Sequence, residues 1–126
     1  MATTTDLGRV RERSSGRYTC SIKDETEVAI PASSIATLTL TLYDVATGTI
    51  LNARDAQDVL NANNVTIDSN GNLIWLVQPA DHAVVSTRPN TIERHRGVFR
   101  YTWVDGVTKS DWHAVEFLVE AEPEVS

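Results

Sequence analysis

At 126 residues, with 41% hydrophobic and 22% charged side chains, the chain has the size and composition of one globular domain with a real core. Its net charge of −6 argues against nucleic acid as a partner, because phosphate binding needs clustered cationic charge. A single cysteine, Cys20, excludes an intrachain disulfide and a cysteine-based zinc site. No apolar run approaches membrane-spanning length, and no apolar leader follows Met1, so a chain folded in the cytosol and free of membrane is expected.

The first segment, residues 1–16, reads as a polar N-terminal arm. It holds Arg9, Arg11 and Arg13 but few apolar residues, mainly Leu7 and Val10, and no helical stripe. It cannot build a core of its own. We expect it to lie along a neighbouring protein, with the three arginines meeting carboxylates there and Leu7 and Val10 as apolar anchors. Residues 17–120 read as a β-sandwich domain, and residues 121–126, with Glu122 and Glu124 around Pro123, as a solvated acidic tail.

Within the domain, turn chemistry recurs about every ten residues, the spacing of an all-β fold. A first strand over residues 17–23 puts Tyr18, Cys20 and Ile22 on one side, and Val28 to Ile30 continues it until Pro31 removes a donor. The run IATLTLTLYD, residues 35–44, alternates leucine with threonine and predicts a strand with one dry face. Gly48 turns the chain, Ile50 and Leu51 begin a short return strand, and residues 53–60 read as a loop or a single helical turn.

Two hairpins each offer competing registers. A three-residue turn at Ser69, Asn70 and Gly71, with glycine left-handed, puts Val65 and Ile67 on the face of Leu73, Trp75 and Val77; a two-residue turn pairs them with Ile74 and Leu76 instead. The first buries the larger set and is expected. Ile74 and Leu76 then point outward, apolar side chains on a second face that something must cover. In the closing hairpin, a two-residue turn at Asp105 and Gly106 would separate Phe99, Tyr101 and Trp103 from Val115, Phe117 and Val119. A three-residue turn or a longer odd-numbered loop reunites them, and burial worth roughly 1.5–3 kcal/mol per side chain favours that register.

Chemical constellations are sparse. Arg94, Arg96 and Arg100 share the face opposite the aromatic one, where they pair with Asp111, Glu116 or Glu120 or else receive an anionic partner. His82, His95 and His113 have no metal-ligand spacing. A triad of Ser86, His82 and Asp81 fails because sequence neighbours on a strand or loop do not meet in the needed geometry. Asp55, Asp58 and Asp68 lack the spacing and central glycine of a helical-hand calcium loop. Trp75 and Trp103 alternate in step with aliphatic residues and belong to the core. No catalytic residue, cofactor or metal is therefore expected, and function falls to surfaces.

The succession IPASSIATLTLTLYDVATGTILN, then LNANNVTIDSNGNLIWLVQPADHAV, then FRYTW ahead of an alternating last strand, resembles a family of small virion structural proteins of tailed bacteriophages. The resemblance covers about residues 28 to 120 and lies in strands and turns rather than in a catalytic signature. It implies an immunoglobulin-like sandwich of seven or eight mostly antiparallel strands. It further implies a non-enzymatic place on a phage particle, made in the host cytoplasm and bound in symmetric multiple copies to capsid, portal or neck proteins. The competing reading is a virion-exposed receptor- or carbohydrate-binding module. Together these readings put the candidate partner contacts at Leu7, Arg9, Val10, Arg11, Arg13, Ile74 and Leu76.

Overall fold

Leu38, Leu40 and Leu42 are completely buried, and the strand that carries them sits inside the larger of two sheets. The computed structural model describes residues 3–86, 88 and 91–122. Its strands are β1 (Thr3–Arg11), β2 (Gly16–Ser21), β3 (Ile35–Asp44), β4 (Gln57–Asp58), β5 (Val65–Ile67), β6 (Asn72–Val77), β7 (Ile92–Asp105) and β8 (Val107–Glu120). One sheet has the order β1-β8-β7-β3-β4 and the other β2-β6-β5. Neighbours are antiparallel except β1, which lies parallel to β8. The two sheets form a β-sandwich. Among the described residues no helix is long and apolar enough to cross a membrane.

The core follows from strand parity. Leu38, Leu40 and Leu42 stand opposite Tyr101, Phe99 and Gly97, and they pack in one cluster with Val65, Ile67, Leu73, Trp75, Val115 and Phe117. Gly97 is fixed by this crowding, since a methyl group there would come within 3.3 Å of Val115 and 3.5 Å of Leu40. Both hairpins take the register that buries the most. Val65 pairs with Trp75 and Ile67 with Leu73, while Asp68 Oδ1 accepts the N–H groups of Asn70 and Asn72 at 2.8 and 2.9 Å across the turn. In the closing hairpin Tyr101 stands opposite Asp111 and Phe99 opposite His113, so odd-numbered residues of β7 and β8 share the core face.

Other expectations change. Val28 to Ile30 makes a single bridge between Lys23 and Ala29 rather than a strand, and Ile50 makes one with Tyr43. The larger revision concerns the N-terminal segment, most of which forms the edge strand β1 of the larger sheet rather than an arm outside the sandwich. Val10 packs against the core, whereas Leu7 remains 39% exposed. Arg9 approaches Glu120 at 3.9 Å and Arg13 approaches Glu12 at 3.7 Å, so the carboxylates they meet belong to the same chain. Arg11 stands opposite Glu120 in the ladder. An edge strand needs a backbone partner and only one partly covered face, and a threonine-rich polar segment meets that requirement without any core of its own. Beyond Glu120, Ala121 is buried and Glu122 exposed, and the rest of the expected acidic tail, Glu124 included, lies outside the described residues.

Glycine chemistry makes this register testable. Gly71 has φ +78°, and a Cβ there would sit 2.5 Å from the Ile30 carbonyl oxygen; Gly106 has φ +76° with open space around it. Gly106→Ala should cost about 1–2 kcal/mol, the price of a left-handed alanine, and Gly71→Ala distinctly more because backbone must move. Urea denaturation of the two variants reads the difference.

Candidate functional site

One end of the sandwich is filled by charge. Arg54 and Asp81 are 1% and 0% exposed. Arg54 Nε donates to Asp81 Oδ1 at 2.6 Å and Nη2 to Oδ2 at 3.3 Å, a forked pairing. Nη1 donates to Gln57 Oε1 at 2.8 Å and to the Asn63 carbonyl at 3.2 Å, while the guanidinium lies 5.8 Å from the centre of the Trp75 ring. Asp81 also accepts from Asn52 Nδ2 and from the Gln78 backbone N–H, both at 2.8 Å. Every strong group of the pair is satisfied inside the protein, as a buried ion pair requires. Asp81 can hold this position because Pro79–His82 forms a 3-10 turn that aims its carboxylate inward.

A second cluster lies at the same end. Asp44 follows Leu42 on the core face of β3 and stands opposite His95 on β7. His95 Nε2 lies 2.8 Å from Glu93 Oε1 and 3.6 Å from Asp44 Oδ1. The ligand atoms of these three residues fall within 4.8 Å of one another, so they are the group that could hold a metal ion. Both Glu93 oxygens and Asp44 Oδ2 are already engaged. Glu93 accepts the N–H of Val85 at 2.9 Å and of Ser86 at 2.6 Å, and Asp44 Oδ2 accepts the N–H and hydroxyl of Thr47 at 3.1 and 2.7 Å. Burial alone would raise the Glu93 carboxyl, but those two N–H groups and the His95 ring hold it below its ordinary range. The arrangement acts as a clasp on two loops.

The remaining histidines do not activate a nucleophile. His82 Nδ1 donates to the Ser14 carbonyl at 2.8 Å, and the Ser14 hydroxyl 3.1 Å away is itself committed to the Arg11 carbonyl at 2.6 Å. Asp81 turns away to Arg54, and the Ser86 N–H serves Glu93, so Ser86, His82 and Asp81 form no relay. His113 meets the Tyr18 hydroxyl and stacks on its ring. Burial lowers the pKa of both His82 and His113, in His82 against a raising contribution from the Ser14 carbonyl. It raises the Cys20 thiol to about 11, which makes that sulfur a poor nucleophile.

The outer face of the larger sheet carries what the core leaves over. Arg96 donates to Glu116 Oε2 through Nε at 3.0 Å and Nη2 at 2.8 Å, and to the Tyr43 hydroxyl at 3.0 Å. Arg94 reaches Glu116 at 3.4 Å. Arg100, by contrast, is exposed and has no acidic partner among the described residues; it stands between Thr39 and Trp112 in the sheet. Trp112 is 38% exposed, whereas Trp75 and Trp103 are core residues. Tyr43, Arg96, Val98, Arg100, Trp112 and Ala114 line a shallow depression of about 340 Å³, with Thr4 of β1 at its side.

The seven expected contact residues do not form one surface. Ile74 and Leu76 lie on the outer face of the smaller sheet, opposite Thr19 and Arg17, the first half-buried and the second 43% exposed. Leu7, Arg9, Val10 and Arg11 are on β1, and Arg13 lies just beyond it. Sequence reading passed over Arg54, which sits in a stretch without alternation; Trp112, by its even number on β8, falls on the face of Arg100. Against known proteins, the chain matches no family model and no curated protein.

Two outcomes follow from the buried groups. Arg54→Met leaves the Asp81 carboxylate without its cation and should cost about 3–5 kcal/mol. The double variant Arg54→Met, Asp81→Asn should lose less than the two single losses combined, measured as a coupling energy in urea. The histidines set a pH response. Unfolded, His82 and His113 take up protons from about pH 6.5, while their folded pKa values lie lower. Stability is therefore full above that pH and is lost as pH falls through the folded values. The urea midpoint should drop between pH 7 and about pH 5, before model carboxylates titrate, and His113→Gln should flatten that slope.

Proposed function

We propose that this chain is a non-enzymatic structural protein of a tailed-phage virion, which binds and reinforces or joins capsid or head-to-tail neck proteins. The observation that carries the surface-binding part of this reading is the outer sheet face, where an arginine with no acidic partner among the described residues stands beside a partly exposed tryptophan on an acidic protein. Arginine, tryptophan and tyrosine are the residue types that dominate binding energy at protein interfaces. In contrast, Arg54 and Asp81, and His95 and Glu93, are engaged with one another inside the sandwich. The virion part rests on the resemblance over residues 28 to 120.

The strand order supports an immunoglobulin-like version of the sandwich. β8, β7, β3 and β4 occupy the places of strands G, F, C and C′, and β2, β6 and β5 those of B, E and D. β1 departs from the constant-domain pattern by joining the sheet of β8. A carbohydrate- or receptor-binding role keeps one specific support, the Trp112 and Tyr43 walls of the shallow depression. Only one of the three tryptophans serves it.

Mass spectrometry of gradient-purified particles tests the proposal. The chain should be present in many copies per particle and should remain through high-salt washing in the intact form. Its absence from particles, or its recovery only among soluble proteins of the infected cell, would overturn the virion assignment.

A further inference from the structure

Two surfaces of this chain complement each other. At the end of the sandwich opposite the Arg54 cluster, Val28, Val104 and Val107 are 59%, 59% and 66% exposed, the most exposed of the large apolar side chains among the described residues. Val104 and Val107 flank the tip of the β7–β8 hairpin, where Asp105 stands opposite Val107. Val28 and Val104 meet in a shallow depression of about 250 Å³ that also includes Asp24, Pro31, Trp103 and Asp105. Acid surrounds this tip. Glu27 is exposed with no partner among the described residues, and Lys109 is held between Glu25 at 2.5 Å and Asp105 at 3.2 Å. The result is an exposed apolar end with acid around it.

The outer sheet face is its counterpart. Its depression has an apolar floor, Val98 and Ala114, at 9% and 2% exposure, and walls from Trp112 and Tyr43. Arg96 is fixed in place by Glu116 and Tyr43, and the Arg100 guanidinium is left to an outside carboxylate. Arg9, Arg11 and Arg94 stand on the same face at the ladder positions of Leu118 and Glu120, where Glu116 and Glu120 offset part of the charge and leave the arginines in excess. A face of this sign on a chain of net charge −6 attracts the chain's own acidic end.

We infer that this protein associates with itself through that pairing: the valine-tipped acidic end of one copy seats on the Arg100–Trp112 face of a second. The occupant is another copy because an exposed apolar end with acid around it and a basic face with an apolar floor are both present on this chain. The two are different surfaces, so the contact is heterologous and repeats, closing into a ring or extending as a helix of subunits. Salt weakens it by screening the charge pairs. The inference does not depend on the virion assignment, and a chain missing from particles could still assemble this way.

Sedimentation velocity of the full chain, at roughly 10 µM to 1 mM, covers the range in which contacts of modest size associate. The average mass should rise with concentration and fall on adding salt. A face variant, Arg100→Glu with Trp112→Ala, and a tip variant, Val104→Ser with Val107→Ser, should each sediment as a monomer while keeping the wild-type circular dichroism and thermal midpoint. Mixed together they should form a one-to-one heterodimer and stop there, since one intact face then meets one intact tip. A wild-type chain that stays monomeric throughout overturns the inference, as does continued self-association of either variant alone. So does a mixture of well-folded variants that forms no heterodimer.

Discussion

The forked pair between Arg54 and Asp81 holds the irregular half of this protein to the regular half. Residues 52 to 64 contain almost no sheet, and six non-glycine residues there, from Asn52 to Asn64, have left-handed backbones. Such conformations persist only when their surroundings over-determine them. Arg54 supplies that determination through contacts to Asp81, Gln57, Asn63 and Trp75 at once. Asp81 in turn fixes Asn52 and the turn after β6. A hydrophobic side chain could fill the volume of Arg54, but it could not address three separate backbone segments by direction.

Around that anchor, strand parity divides the chemistry. The core face of β3 and β7 runs from leucines and aromatics into Asp44, His95 and Glu93, so the same alternation that builds the apolar core also delivers the buried clasp. The other face receives the arginines, the threonines and Trp112. Charge inside this sandwich is therefore held in place by its neighbours, and on the outer face Arg100 alone of the β7 arginines has no acidic partner among the described residues. That division is why function is sought on the surface, although the chain contains three histidines and many carboxylates.

Much of this was legible from alternation. The core expected from the pattern, Leu38, Leu40, Leu42, Val65, Ile67, Leu73, Trp75, Phe99, Tyr101, Val115 and Phe117, falls in one cluster, and both hairpin registers follow from burial. The seats of Asp44 and His95 were legible as well, for each continues the parity of its strand, but a polar residue at a core position is easily taken as the end of an element. Arg54 left no signal, because a buried arginine in an aperiodic loop is defined by partners far along the chain. β1 was hidden for a similar reason. Its residues show no dry face, and its partner strand lies at the other end of the sequence, so composition describes it as a polar tail.

That last pairing has a kinetic consequence. Thr3 bonds beside His113 and Arg11 beside Glu120, contacts separated by about 110 residues, among the longest loops this chain can close. During synthesis the first strand has no partner until nearly the whole domain has left the ribosome. β1 can join the sheet only once β8 has emerged, and until it does, the edge of β8 presents a bare ladder of N–H and C=O groups. A nascent chain in a crowded translation site is exposed to cross-pairing during that interval, and the polar, glycine-bulged sequence of β1 keeps the waiting strand soluble.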